Sequence, residues 1–355
     1  MSSFRTLMMC GALMTLTGCG FITKNKSSLD SSNIQKKGWT LVWSDEFNGT
    51  QLDTKKWVPE TSCWGGGNNE RQCYTKRSDN ISVGDGFLKL KAKAEDFTGL
   101  KYPQDRAERG GLVRQNYTSG KVKTKGLANW KYGRFEARVK LPQGQSTWPA
   151  FWMLPEDNKY GQWPLSGEVD IMEAVNLGAE CHDCKGSTTE NRSSVALHFG
   201  LPWPDNQFNV ESHILPNGPL GYHVFALEWS EGQMDWFVNE QRIFTMTHSD
   251  WFTKSVSKKD NKFAPFDQAF YVMLNLAVGG NLPDNRNEKS FNPNSFPSEL
   301  LVDWVRVYQC QDDIKTSKKC LSEPDLSGCF STSPHHKSIS SHLSCVWKML
   351  PFRES

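Results

Sequence analysis

Beyond its N-terminal segment the chain has no apolar run long enough to cross a bilayer as a helix, which takes about 20 consecutive apolar residues. It also lacks an excess of either charge. Its 41 basic residues face 39 acidic ones, a net charge of +2, and that balance gives no reason to expect nucleic acid. Local runs such as Lys121-Val122-Lys123-Thr124-Lys125 read as the solvated face of a strand. Helical periodicity is scarce and no stretch repeats at a fixed interval, which sets aside bundles and solenoids. A full set of zinc ligands is missing as well. Cys181-His182-Asp183-Cys184 has no second pair to complete a tetrahedral site, so it reads as a loop staple.

What the 355 residues do contain starts with a secretory pattern. Arg5 precedes a short apolar run from Leu7 to Thr17, so residues 1–18 are expected to be a signal peptide. The run ends on Leu16-Thr17-Gly18-Cys19, which resembles the bacterial lipobox, and Cys19 is the expected site of lipidation. Gly20 and Phe21 follow with no Asp directly after the cysteine, which favours an outer-membrane lipoprotein, with plain secretion as the alternative. Residues 19–37, rich in Lys, Ser, Asn and Asp, read as a flexible tether between the membrane anchor on Cys19 and the domain that follows.

From Gly38 the texture becomes strand-like. Examples are Trp39 to Trp43, Phe87 to Ala92, Gly133 to Leu141, Val195 to Phe199 and Leu301 to Tyr308, with Gly, Pro, Asn and Asp in the gaps. Many short strands with turn signals predict an all-β sandwich over residues 38–310. Residues 311–355 lose the alternation, gain Ser, Lys and His, and carry Cys320, Cys329 and Cys345; no fold is assigned to them. Of ten cysteines, eight remain after Cys10 and Cys19, an even number that favours disulfides in an exported protein. Close neighbours suggest Cys63 with Cys73, Cys181 with Cys184 and Cys310 with Cys320, leaving Cys329 with Cys345, among about 105 connectivities.

The most informative stretch is Gly167-Glu168-Val169-Asp170-Ile171-Met172-Glu173-Ala174. Alternation along a strand puts Glu168 and Asp170 on one face and Val169 and Ile171 on the other. Glu173 is one step out of phase, and a β-bulge near Met172 would bring it back to the acidic face. Two carboxyls about 5–5.5 Å apart are what a retaining glycosidase needs, one to attack the anomeric carbon and one to protonate the departing oxygen. A third acid between them can keep the pair in different protonation states. Solvated strand faces and calcium ligands are the plain alternatives for such a cluster. Nearby, Trp148-Pro149-Ala150-Phe151-Trp152-Met153-Leu154-Pro155 and Trp163-Pro164 supply indoles, which stack on the flat faces of sugar rings or simply fill a core.

These residues resemble the signature of glycoside hydrolase family 16, in the bulged form Glu-x-Asp-x-x-Glu of its laminarinases, which are endo-β-1,3-glucanases. The resemblance runs over most of Gly38 to Gln309. It includes Trp43 to Gly49, Asn68-Asn69-Glu70-Arg71-Gln72, Tyr132 to Arg138, Leu274 to Gly280 and Val302 to Tyr308. It implies a jelly-roll of two antiparallel sheets with a concave cleft. Glu168 would be the nucleophile, Glu173 the acid/base and Asp170 the assisting carboxylate. Asn69, Trp148, Trp152, Trp163, His198 and Asn275 would lie near the sugar, although His198 can instead be a structural hydrogen-bonder. A structural calcium is implied on the convex side, with Asp303 as one ligand and Glu46 and the Gly86 carbonyl as weaker matches. Arg71 and Cys73 depart from the family's usual apolar or aromatic residues, and a staple at Cys73 would reshape the cleft there.

The sequence therefore predicts an exported, monomeric, retaining endo-β-1,3-glucanase acting on laminarin-type glucans without a catalytic cofactor. Mixed-linkage β-1,3-1,4-glucan is the alternative substrate, and a non-catalytic β-glucan-binding protein the alternative class. Agar and carrageenan are remote alternatives, because sulfated substrates usually call for a more basic cleft.

Overall fold

Strands form where side chains alternate between a dry and a wet side. Phe87–Leu100 shows this directly: Leu88, Leu90 and Ala92 are buried, while Lys89, Lys91 and Lys93 point away from the core. A computed structural model describes residues 38–322, apart from 105, 107–109 and 288–289. The signal, the tether with Cys19, and the part of the tail from residue 323 on, with Cys329 and Cys345, thus lie outside the described residues.

In chain order the strands begin with β1 (Trp39–Asp45), β2 (Val58–Pro59), β3 (Gln72–Tyr74), β4 (Ile81–Gly84), β5 (Phe87–Leu100) and β6 (Leu112–Ser119). Next come β7 (Lys121–Lys123), β8 (Gly133–Lys140), β9 (Thr147–Pro155), β10 (Glu168–Glu173), β11 (Arg192–Phe199) and β12 (Gln207–Ile214). The last are β13 (Tyr222–Ser230), β14 (Gln233–Val238), β15 (Gln241–Thr247), β16 (Phe270–Val278) and β17 (Ser298–Cys310). One α-helix is found among the described residues, α1 (Asn281–Asp284), a single turn.

The strands make a jelly-roll of two sheets. A ten-stranded sheet runs β15-β14-β13-β8-β17-β5-β6-β3, with β1 on β17 and β4 on β5. A seven-stranded sheet runs β12-β11-β10-β9-β16-β7-β2. Pairing is antiparallel except between β3 and β6. The core lies between the sheets. Leu88, Val139 and Val302 enter it from one sheet, and Phe151, Met153, Val169, Ile171, Leu197 and Val272 from the other. Trp57, Trp229, Trp236 and Trp251 are fully buried there, so part of the high Trp content is core volume.

Three disulfides match the expected neighbours: Cys63–Cys73, Cys181–Cys184 and Cys310–Cys320. Residues 311–322 continue past β17 and are tied back to the ten-stranded sheet. Thr316 accepts the Glu231 amide at 2.8 Å, and the Ser322 amide and hydroxyl both donate to Glu228 at 2.8 Å.

Candidate active site

The outer face of the seven-stranded sheet is set by register. Glu168 lies opposite His198, and Asp170 opposite Trp152 and Ala196. Without interruption Glu173 would point inward. Pairing with β9 slips between Asp170 and Met172, so Met172 meets Phe151 and Glu173 meets Ala150. Ile171 and Met172 are both buried, the two consecutive inward residues that a bulge produces. All three acids therefore share the outer face with Trp148 and Trp152 of β9 and Asn275 of β16.

The indoles hold the site by hydrogen bonds. Trp163 Nε1 donates to Glu168 Oε2 at 2.9 Å, and Trp148 Nε1 donates to Glu173 Oε1 at 2.9 Å. Trp152 Nε1 donates to Asn275 Oδ1 at 2.7 Å. Trp163 is 38% exposed, whereas Trp148 is buried against Val175, Ala277 and Leu282 and offers little open face. His198 Nε2 sits 3.7 Å from Glu168 Oε1 and 3.5 Å from Asp170 Oδ2. Asp170 Oδ2 is buried and has no hydrogen-bond partner. Asn69 is exposed on the Gly65–Asn69 loop and donates to Asn281 of α1 at 2.8 Å.

Burial governs the protonation of these acids, because a charged carboxylate loses water that the site replaces only in part. Asp170 is held well above the ordinary carboxylate range by burial, then by the charges of Glu168 and Glu173. Glu168 is pushed up to about 7 by burial, against the Trp163 hydrogen bond and the charge of Lys121. Burial also raises Glu173, opposed by the Trp148 N–H and by His198, with Glu168 adding to the rise. His198 is lowered by burial and so favours its neutral form, with Glu173 pulling the other way. The arrangement holds protons on closely placed acids and can pass one while another stays charged.

For several residues around the site the structure gives a role that the sequence did not. Lys121 is the main correction. It is not on a solvated strand face: it pairs in register with Asn275, lies 4.7 Å from the Trp152 ring, and faces Glu60 at 3.5 Å. Lys123 faces the same buried Glu60 at 3.2 Å. Tyr74, next to the Cys63–Cys73 staple, is buried, and its phenol is held well above the ordinary range by burial and then by the charges of Glu70 and Glu60. Arg71 packs 4.2 Å from the Phe291 ring and pairs with Asp284. The alternation of Lys121 and Lys123 was visible in the chain, but their partner Glu60 lies far away in sequence.

The residues named for calcium sit on the opposite sheet. Glu46 Oε1 and Oε2 accept from Arg306 at 2.9 and 2.8 Å, and Asp303 pairs with Arg138. Gly86 lies in the β4–β5 turn. With a guanidinium on each carboxylate, this donor set as placed does not fit a divalent cation. Cys181 and Cys184 are bridged and offer no thiolate to a metal. Glu168, Asp170 and His198 bring ligand atoms within 4.8 Å of one another, but the indole N–H on Glu168 and the neighbouring Lys121 compete with an ion there.

Comparison with known proteins gives a consistent picture. The family model described as the β-porphyranase A–D, GH16 domain matches residues 39–310. The chain is 40% identical over 285 residues to the glucan endo-1,3-β-glucosidase A1 of Niallia circulans, a match covering 77% of this chain and 38% of that protein. It is 34% identical over 302 residues to a β-glucanase of Rhodothermus marinus, covering 84% and 92% of the two chains. The X-ray structure of the laminarinase from Rhodothermus marinus superposes with a TM-score of 0.60 at 33% identity, over 76% of this chain and 97% of that one.

Proposed function

This chain belongs to glycoside hydrolase family 16, and on that premise we propose that it hydrolyses internal β-1,3-glucosidic bonds of laminarin-type glucans with retention of configuration. One observation carries the reading: Glu168 and Glu173 stand on one open face of a bulged strand, each fixed by an indole N–H, with buried Asp170 between them. In the first step the Glu168 carboxylate attacks the anomeric carbon while Glu173 gives its proton to the leaving glycosidic oxygen. A glycosyl ester on Glu168 results. In the second, Glu173 takes a proton from water, the water attacks the same carbon, and Glu168 is released as carboxylate. Asp170, whose carboxyl burial raises well above the ordinary range, stands between the two glutamates and would hold a proton beside Glu168 as that group loses and regains its charge. Trp163, Trp152, Asn69, Asn275 and His198 border the space for the sugars, and Trp148 orients Glu173.

The bulge at Met172 and the relatives named for β-1,3-glucan favour laminarin over mixed-linkage glucan and over the porphyran of the matching model's name. Chromatography of products from laminarin, lichenan, barley glucan and porphyran tests this. Laminarin should give a series of β-1,3-oligosaccharides, and Glu168→Gln and Glu173→Gln should each lose at least about a thousandfold in rate with the fold kept. A wild-type chain that releases no new reducing ends from laminarin overturns the reading.

The protein is further proposed to be an exported lipoprotein. Residues 1–18 would be removed, Cys19 would carry lipid in the outer membrane, and 19–37 would tether a monomeric catalytic domain. Cys19→Ala should release it from the membrane fraction. A structural calcium at Glu46, Gly86 and Asp303 would have to displace Arg306 and Arg138, so chelation should leave the melting temperature unchanged; a clear fall on chelation would assign those residues to the ion.

A further inference from the structure

The edge strand β12 is inverted relative to the rest of its sheet. Its residues on the core side are polar: Asn209 lies opposite Leu197, Glu211 opposite Val195 and His213 opposite Ser193. On the open side, the side of the three acids, it carries Phe208, Val210 and Ile214, which are 58%, 49% and 47% exposed, with exposed Ser212 between the last two. Apolar side chains turned to water on the substrate side, with half-buried Asn209 and His213 and exposed Glu211 on the other, are the reverse of what core packing selects, and exposed large apolar side chains beside a cleft mark a place where something binds.

This row is continuous with the active site. Phe208 lies opposite His198 in register, and their rings stack at 5.6 Å with 29° between planes. His198 in turn lies 5.9 Å from Trp163, which holds Glu168. Rings therefore run from Glu168 outward across β11 to β12. Asn69, Asn275 and Lys121 lie on the other side of β10, so they cannot serve this end of the chain. Sugar rings offer C–H faces to aromatic and aliphatic side chains, and a polymer threaded across the sheet has to leave over β12.

We propose that the open face of β12, namely Phe208, Val210 and Ile214, extends the substrate cleft and carries additional sugar units of a long β-glucan chain. The proposal rests on the β-glucan reading given above. It makes the protein favour long chains over short ones, because the extra contacts lie far from the scissile bond and are made equally in ground and transition states.

The test compares wild type with the Phe208→Ser, Val210→Ser double variant in the full-length protein. kcat/KM is measured for polymeric laminarin and for the shortest β-1,3-oligosaccharide that wild type cleaves. The polymer-to-oligomer ratio should fall about tenfold, mainly through KM. An unchanged ratio overturns the proposal, whether both values hold or both fall together, and so does a change in oligomeric state without a change in ratio. Should the double variant melt early, Ile214→Ser alone is read in the same way, with a smaller expected fall. Wild type inactive on laminarin would instead defeat the underlying reading, so the two failures are distinguishable.

Discussion

The indole N–H groups assign each carboxyl its share of the pH profile. A donor on the charged form lowers a pKa, so removing it raises the pKa. Glu168 must be charged to attack, and its titration sets the acidic limb of the rate. Glu173 must be protonated to act first, and it sets the alkaline limb. Trp163→Phe should therefore move the acidic limb to higher pH, and Trp148→Phe should move the alkaline limb to higher pH. Rate profiles of both variants on laminarin check this. If the limbs move the other way round, the roles of the two glutamates are exchanged.

Asp170 carries a stability cost that function retains. Its folded pKa lies above its unfolded one, so the folded chain binds the proton more tightly. The associated stability is fully present below the unfolded pKa of about 4 and is lost as pH rises through the folded pKa. Asp170→Asn removes that dependence. The variant should be inactive or nearly so, yet gain about 1–2 kcal/mol at pH 8 and much less at pH 4. Denaturant melts at the two pH values decide it, and an equal gain at both would refute the linkage.

At the scale of the element, the bulge in β10 is what makes two glutamates five positions apart act together. Deleting Met172 should remove the bulge and leave Glu168, Asp170 and Glu173 in plain alternation, all three still on the outer face. Glucan cleavage should persist, with laminarin losing ground to mixed-linkage glucan because Glu173 is drawn one residue closer along the strand to Glu168. A deletion variant that folds but cleaves neither laminarin nor lichenan would show that the slip itself, and not only the shared face, positions Glu173. This element was legible in advance, because the phase error of Glu173 against Glu168 and Asp170 is a property of spacing alone. The all-β architecture and the close-neighbour disulfides were legible for the same local reasons. What escaped was long-range. Alternation placed Lys121 and Lys123 on one face but could not tell whether that face met water or Glu60. Nor could spacing show that Trp148 is a buried donor to Glu173, since its rotamer depends on packing against Val175 and Ala277.

At the scale of the whole molecule, the sheet that carries no catalytic acid is closed by the segment after β17. The loss of alternation at Cys310 looks like a boundary, yet residues 311–322 are part of the packed structure. Cys320 bridges to Cys310, and Ser322 supplies two donors to Glu228, a buried carboxylate that also accepts from Arg134 at 2.7 Å. Ending the chain at 310 removes a disulfide loop worth about 2–3 kcal/mol. It also takes two donors from a buried charge, at a cost of about 1–3 kcal/mol. For a domain of this size, each kcal/mol shifts the melting temperature by about 2–4 °C. A fragment of residues 38–310 should therefore melt on the order of 10 °C below one of residues 38–322, with laminarin cleavage by the two alike well below either transition. Equal melting temperatures would mean that the segment rides on the sheet without supporting it.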